Sequence, residues 1–433
     1  MRSSSSGIIA AVRDLLSDLR WRGVIYDLTE GAGDFLKSDR SPVYAGFDPT
    51  GPSLHVGHLL PIITLIRFAM YGFKPIFVVG GGTGLIGDPS GKEKERPLLS
   101  EEEIERNVRS ITEQIGRIVE GRLEDYIVVN NAEWLKPLGF IEFLRDVGKH
   151  FTVNYMLQKE SVRNRLGREG GISFTEFTYM LLQAYDFLQL YDRYGCRVQI
   201  GGSDQWGNIT AGIELIRRVR GERAYGLVLP LLTTSSGKKF GKTEAGTSVW
   251  LDPERTTPYR FYQFWINTDD RDVIRYLKLF TFLSPDEIEE LGRSLEEHPE
   301  RREPHRRLAV EMTRLVHGEE GLRRALRATE VLFGGSLEGL TAGELLDIFS
   351  EVPSAEVPAE EMREGIPVVE FLVRGGLAPS KGEAKRLIKG GGVYINNVRV
   401  EGLGRRITLE DTIDGKVVVL RRGKKHYRIV KVV

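Results

Sequence analysis

The sequence predicts an α/β chain with a doubly wound parallel sheet, followed by an α-helical segment and a small α+β module. Three observations predict it. From Val43 to Leu232, short apolar runs rich in β-branched and aromatic residues alternate with longer stretches at helical spacing, the pattern of parallel strands joined by crossover helices. Several of those runs end in glycine-rich turns, as strands of a Rossmann-type sheet do. From Pro258 the strand runs stop, and they return only in the basic segment after Ile366.

At 433 residues and 41% hydrophobic content, the chain is long enough for two or three domains with a sizeable core. No run of about eighteen apolar residues exists. Ile8 to Trp21 is interrupted by Arg13, Asp14, Asp18 and Arg20 and reads as an amphipathic helix, not a signal peptide or membrane span. Cys196 is the sole cysteine, which excludes an internal disulfide and a thiolate cluster, and the seven histidines show no zinc spacing. The expectation is a cytoplasmic protein with no membrane contact and no bound zinc or other metal of its own. Formal net charge is zero but unevenly spread: residues 366–433 hold 15 Lys+Arg against 6 Asp+Glu, leaving 46 against 55 for the rest. A basic tail on an acidic body predicts a polyanionic partner.

The run Val43 to Phe47 leads through the turn residues Asp48 to Ser53 into a helical stretch, Leu54 to Tyr71. His55 and His58 are three apart and share a face on a helix, and Gly57 between them leaves that face open. A helix start after a parallel strand offers free N–H groups and the positive end of the dipole, so an anion is expected there. Tyr44-Ala45-Gly46-Phe47-Asp48-Pro49-Thr50, followed by His55-Val56-Gly57-His58, resembles the opening of bacterial-type tyrosyl-tRNA synthetases, whose class I signature is His-x-Gly-His. The resemblance runs through almost the whole chain. It implies activation of L-tyrosine by ATP to tyrosyl-adenylate and pyrophosphate, then transfer of tyrosine to the 3′-terminal adenosine of its tRNA. It also implies that Gly46, Asp48, His55 and His58 serve ATP, with Thr50 and His55 on the phosphates and His58 towards the ribose. Ala45, where many relatives carry cysteine, and Pro61, early in the helix, depart from the pattern at spacer positions.

Lys74 to Val79 is the next strand run, and Gly80 to Lys92 follows as a glycine-rich loop. Gly82 to Gly87 spells G-x-G-x-x-G, but Asp-Pro-Ser-Gly rather than a continuing helix comes next, and Ile86 stands where a P-loop needs glycine. The stretch reads as a backbone-exposing loop beneath a nucleotide, ending in Lys92 and Arg96 as phosphate-facing cations. Asp88 stands at the strand's mouth, where a carboxylate can hold an ammonium group. Ser100 to Val119 is a helix opened by a Ser100/Glu103 capping box, and Asp125 to Val129 a strand. Residues 131–175 connect with helical character, and the resemblance implies subunit contacts of a homodimer there. Phe174 to Leu190 places Tyr179, Gln183 and Asp186 at i, i+4 and i+7, so one helix face offers a phenol, an amide and a carboxylate. For a tyrosine substrate, Tyr44 and Asp186 would bind the phenol, and Asp88, Tyr179 and Gln183 the ammonium group. After the strand Arg197 to Ile200, Gly202 lets a ribose approach and Asp204 accepts its hydroxyls, while Gln205 faces the substrate carboxylate.

Gly226 to Leu232 is the fifth strand, and Thr233 to Thr247 a polar loop containing Lys238-Lys239-Phe240-Gly241-Lys242-Thr243. It resembles the family's Lys-x-x-Lys-Ser/Thr element, which implies Lys239, Lys242 and Thr243 on the ATP phosphates. The chemistry suits the composition. A carboxylate that attacks the α-phosphate is already ionised and needs no general base, so alignment and charge neutralisation lower the barrier. Mg²⁺ would accompany ATP, held by phosphates and water.

The expected domains are residues 1–247, catalytic; 248–333, helical; 334–365, an acidic glycine- and proline-rich linker; and 366–433, a small module. The last resembles the RNA-binding module shared with a ribosomal protein and pseudouridine synthases. Lys381, Lys385, Arg386 and Lys389 line one of its helices, and Asn396-Asn397 makes a hairpin beside Arg399, a phosphate-tracking surface for tRNA. Two other readings remain at this stage: a relative that activates tryptophan, which Tyr44 with Asp186 opposes, and a non-catalytic RNA-binding protein on the same scaffold, which the complete phosphate shell opposes.

Overall fold

The structure, a computed structural model, describes residues 14–90, 98–167, 171–237, 240–241, 246–332, 334–350, 352–423 and 426–433. Two compact units form: the chain up to Asp252 together with Asn267–Leu308, and Pro253–Ile266 together with Ala309–Val433.

Six strands make the sheet of the first unit. Asp27–Leu28 (β1), Val43–Phe47 (β2), Pro75–Val79 (β3), Ile127–Asn130 (β4), Val198–Gly202 (β5) and Tyr225–Leu229 (β6) lie in the order β1-β6-β5-β2-β3-β4. All neighbours are parallel except β1, which forms an antiparallel edge on β6. Every residue of β3 and four of the five in β2 are buried, as strands covered on both faces require. The chain leaves β2 for β3 and β4 on one side and returns to β5 and β6 on the other. Strand order therefore reverses between β2 and β5, and ligand crevices open outside the carboxyl ends at such a switch point. Here the pairing of β2 with β5 stops at Ala45 and Ile200. Gly46, the next residue of this central strand, is exposed, with open space where a Cβ would stand.

Alternation along β2 sends Tyr44 into a core cluster with Ile76, Val78, Met180, Phe187 and Leu215, the last three from helices Phe174–Tyr194 and Trp206–Arg220. Phe47 points elsewhere, its ring 6.4 Å from that of His58.

Helix Asp270–Phe280 belongs to the same unit, held by two buried arginines at its carboxyl end. Arg67, from helix Leu59–Met70, donates to the carbonyls of Lys278 (3.0 Å), Leu279 (2.9 Å) and Thr281 (2.7 Å). Arg22 donates to those of Thr281 (3.2 Å) and Leu283 (2.9 Å). Cations satisfy the orphan carbonyls and the negative dipole end together. The expected helical domain of 248–333 is accordingly divided: Asp270–Phe280 and Pro285–Glu297 pack with the sheet, and Pro258–Ile266 with the second unit.

In the second unit a five-stranded sheet runs Val398–Arg399, Val393–Ile395, Val417–Arg422, His426–Val432, Ser354–Val357. The stretch 334–365, expected to be a linker, is folded into this unit instead. Ser354–Val357 pairs in parallel with Ile429–Val432, and Leu337, Leu340, Leu345, Ile348 and Phe349 share a core with Val417, Val419 and Tyr427. Composition misled because Glu338, Glu356, Glu360 and Glu364 sit on exposed positions between the buried apolar ones.

Candidate active site

His55 is not on the first α-helical turn, as expected, but caps it in extended conformation before a single 3₁₀ turn, Val56–His58. The cause is a reciprocal pair of bonds. His55 Nδ1 accepts from Gly57 N–H at 3.1 Å, and His58 Nδ1 accepts from His55 N–H at 3.1 Å. A ring that accepts at Nδ1 is neutral and carries its proton on Nε2, so each histidine offers an N–H donor rather than a full cation. The two rings lie 4.0 Å apart. Thr50 is exposed on the turn just upstream, its N–H bonded to Asp48 O at 2.9 Å.

Behind β2 a chain of polar side chains runs through the unit's interior. Tyr44, 2% exposed, keeps its hydroxyl without a hydrogen-bond partner. Burial and then the nearby Asp186 charge raise that hydroxyl's pKa well above the ordinary value. Asp186, also buried, accepts from Trp134 Nε1 at 2.7 Å and from Asn131 Nδ2 at 2.9 Å. Burial pushes its carboxyl up to about 8, against the pull of those two donors. Asn131 also reaches Thr83 Oγ1 at 2.9 Å, Thr83 donates to Asp48 Oδ1 at 2.7 Å, and Tyr179 donates to Asp48 Oδ2 at 2.6 Å. Asp88 accepts from Ser90 N–H at 2.8 Å and from Gln205 Nε2 at 2.7 Å. Asn208 stands within 3.0 Å of both Gln183 Oε1 and Gln205 Oε1. Six residues singled out in the sequence for one amino acid thus gather around one interior region, tied by four that were not: Thr83, Asn131, Trp134 and Asn208.

In the glycine run, expected to lie beneath a nucleotide, two members make room for neighbouring side chains. A Cβ on Gly80 would stand 2.1 Å from Asp48 Oδ1 and 2.4 Å from Thr83 Oγ1, and one on Gly81 2.2 Å from Asn130 Oδ1. Gly80 thus makes room for two side chains of the polar chain, and Gly81 for Asn130, whose Oδ1 accepts from Ala132 N–H at 3.0 Å.

On the crevice side, exposed Gly46 borders Asp48, and Gly202 and exposed Asp204 lie at the end of β5. The second lysine element approaches this region through its described flanks. Val249 N–H donates to Gly241 O (3.0 Å), Val56 N–H to Val249 O (3.0 Å) and Leu251 N–H to Leu54 O (2.8 Å). Gly241 has φ +87°, and a Cβ there would meet Val56 Cγ2 at 3.0 Å. Phe240-Gly241 and His55-Val56-Gly57 are therefore neighbours in space. Lys92, Arg96, Lys239, Lys242 and Thr243 lie outside the described residues.

In the C-terminal module Lys385, Lys389 and Arg399 are exposed. Lys381 pairs with Glu370 at 3.1 Å and Arg386 with Glu383 at 3.1 Å, solvent-screened pairs that leave both cations accessible.

Comparison with known proteins gives two family matches: tRNA synthetases class I (W and Y) over residues 37–334, and the tyrosine–tRNA ligase SYY-like C-terminal domain over residues 344–430. The chain is 56% identical over 422 residues to the tyrosine–tRNA ligase of Roseiflexus castenholzii, covering 97% of this chain and 99% of that protein. It is 54% identical over 425 residues to that of Geobacillus stearothermophilus, covering 96% and 99%. A C-terminally truncated mitochondrial tyrosyl-tRNA synthetase from Aspergillus nidulans superposes with a TM-score of 0.68 at 32% identity, over 74% of this chain and 95% of that one.

Proposed function

The chain belongs to the class I tRNA synthetases (W and Y), and from that premise we infer that it works as a tyrosine–tRNA ligase. It activates L-tyrosine with ATP and passes the tyrosyl group to its tRNA. One observation carries the choice of amino acid: Tyr44 holds a buried hydroxyl with no partner, close to the buried carboxylate of Asp186. Leaving such a group unsatisfied costs about 1–3 kcal/mol, a cost that a para-hydroxylated ring removes and phenylalanine does not. Polar pockets of this kind reject the analogue that lacks the hydroxyl, and the handling of tyrosine against phenylalanine is the standing illustration of that rule. An indole would bring its N–H to a different place and leave Tyr44 unpaired.

Tyrosine's ammonium group is read as facing Asp88, Tyr179 and Gln183, and its carboxylate as lying near Gln205. One carboxylate oxygen attacks the α-phosphorus in line, the bond from that phosphorus to the β-bridging oxygen breaks, and pyrophosphate leaves. Thr50 and the Nε2–H of His55 donate to phosphate oxygens, His58 and Asp204 face the ribose above Gly46 and Gly202, and Lys92, Arg96, Lys239, Lys242 and Thr243 neutralise the departing charge. Mg²⁺ belongs to the ATP substrate and is held by its phosphates and water.

A homodimer is part of this reading. Phe140 (65% exposed), Ile141 (74%), Val153 (60%) and Phe174 (68%) expose large apolar side chains within residues 139–174, the kind of surface a second subunit would cover. Light scattering at micromolar protein would report twice the chain mass. The reaction is assigned to the cytoplasm, and no described helix is long and apolar enough to cross a membrane.

ATP–pyrophosphate exchange with tyrosine, phenylalanine and tryptophan in parallel tests the function. Tyrosine should drive exchange at least about 10⁴-fold better than phenylalanine. Exchange with tryptophan equal to that with tyrosine would refute the assignment. In the same samples, Lys385→Ala/Lys389→Ala/Arg399→Ala should raise the KM for tRNA and leave exchange unchanged.

A further inference from the structure

One helix of the sheet-bearing unit packs against the base of the lysine segment and is bonded by Arg67, from the helix that follows the histidine segment. Asp270–Phe280 presents Asp272, Tyr276 and Phe280 at i, i+4 and i+8, a single face. Asp272 is 4% exposed, and its Oδ2 accepts from the backbone N–H of Ser235 at 2.8 Å. Tyr276 meets the ring of Phe240 edge-on at 5.1 Å, and Phe280 stacks on it at 5.3 Å with 19° between planes. Phe240 is 6% exposed, a plug rather than a spacer. Turn bonds from Gly237 N–H to Thr234 O (2.8 Å) and from Phe240 N–H to Leu232 O (3.2 Å) close the base between these two anchors. In sequence, Lys239 directly precedes Phe240 and Lys242 follows Gly241. The other end of the helix is fixed by Arg67, from the helix that His58 leads into. A single rigid element therefore sets the base of the lysine segment relative to the histidine segment.

We propose that Asp272 is a positioning residue for the adenylation step, registering the Lys239/Lys242 segment through Ser235 and the Phe240 plug. The proposal rests on the reading of Lys242 as a ligand of the leaving pyrophosphate. A charged acceptor makes the Ser235 bond about twice as strong as a neutral one, and burial shields it from water. None of the tyrosine-pocket side chains bonds to this helix, so misplacing the lysines costs transition-state stabilisation without loosening tyrosine.

Single-turnover rates of tyrosyl-adenylate formation test this on the full-length protein, together with equilibrium tyrosine affinity and Tm, for Asp272→Ala, Asp272→Asn, Phe240→Leu, Lys242→Ala and Asp272→Ala/Lys242→Ala. Asp272→Ala should slow the step about ten-fold or more and leave tyrosine affinity unchanged, and Asp272→Asn, which keeps an acceptor oxygen in place, should recover most of the rate. Phe240→Leu should give the same split with Tm little altered, which keeps the test decisive where Asp272→Ala folds poorly. In the double variant Asp272→Ala should add little to the loss that Lys242→Ala already causes. A Lys242→Ala enzyme of undiminished rate would overturn the reading of the lysine segment. A slowed Lys242→Ala enzyme beside Asp272→Ala and Phe240→Leu enzymes that are unaffected, additively slowed or equally weakened for tyrosine would overturn this inference alone.

Discussion

At the scale of single residues, the buried Asp186 carboxyl is held by Trp134 Nε1 and Asn131 Nδ2 and shares a helix with Tyr179 and Gln183. A phenol, an amide and a carboxylate on one helix face are out of place in an ordinary core, and Tyr179, Gln183 and Asp186 announced themselves that way. Asn131 and Trp134 did not, since they fall in a stretch without periodic pattern, and only the fold shows that they hold Asp186. That carboxyl, pushed up to about 8 by burial, gives a pH prediction. Its raised pKa means the folded chain keeps a proton that the unfolded chain loses near about pH 4, so this group costs stability as pH rises from about 4 to about 8. A phenol hydroxyl donating to it favours the ionised form. Between about pH 6 and 8, tyrosine binding should release up to one proton and tighten as pH rises, while phenylalanine binding should do neither. Calorimetry in buffers of different ionisation enthalpy measures the proton directly. The same proton release for both amino acids, or none for tyrosine, would remove Asp186 from the phenol site.

At the scale of elements, five of the six strands of the sheet-bearing unit follow from apolar runs and the Ser100/Glu103 capping box is present, whereas the two-residue edge strand Asp27–Leu28 is too short to leave a pattern. What holds one element to another was hidden. Nothing around Arg67 or Arg22 in the sequence says that they converge on the end of a helix more than two hundred residues away, because side chain to carbonyl bonds leave no periodic trace. Arg67→Ala would leave the Lys278, Leu279 and Thr281 carbonyls short of their donor inside the protein. The expected loss is about 3 kcal/mol or more, read as a lowered midpoint in urea. A change below about 0.5 kcal/mol, the size of an ordinary surface substitution, would mean the capping is dispensable. The His55/His58 arrangement is a similar case: the three-residue spacing predicts a shared helix face, but the reciprocal Nδ1 bonds that move His55 off the helix depend on ring orientation.

At the scale of the whole molecule, composition was informative about charge and misleading about division. The basic C-terminal segment stands out in a simple count, and it matches the domain described for tyrosine–tRNA ligases. The same counting made 334–365 a connector, although its apolar residues at 337, 340, 345, 348 and 349 are core. Averages over a window erase a pattern of buried and exposed positions. Each motif segment is local in sequence, and the fold brings Gly241 against Val56; that the two segments share one ligand is the central claim of the proposed function. A crystal structure of the full-length protein with a non-hydrolysable tyrosyl-adenylate analogue tests that claim most directly. The expected complex has the phenol oxygen within about 3 Å of both Tyr44 Oη and Asp186, the ribose above Gly46 and Gly202, and the phosphate oxygens beside His55 and the Phe240-Gly241 segment. An analogue seated away from the β2/β5 crevice, or with its phenol out of reach of Tyr44 and Asp186, would contradict the account.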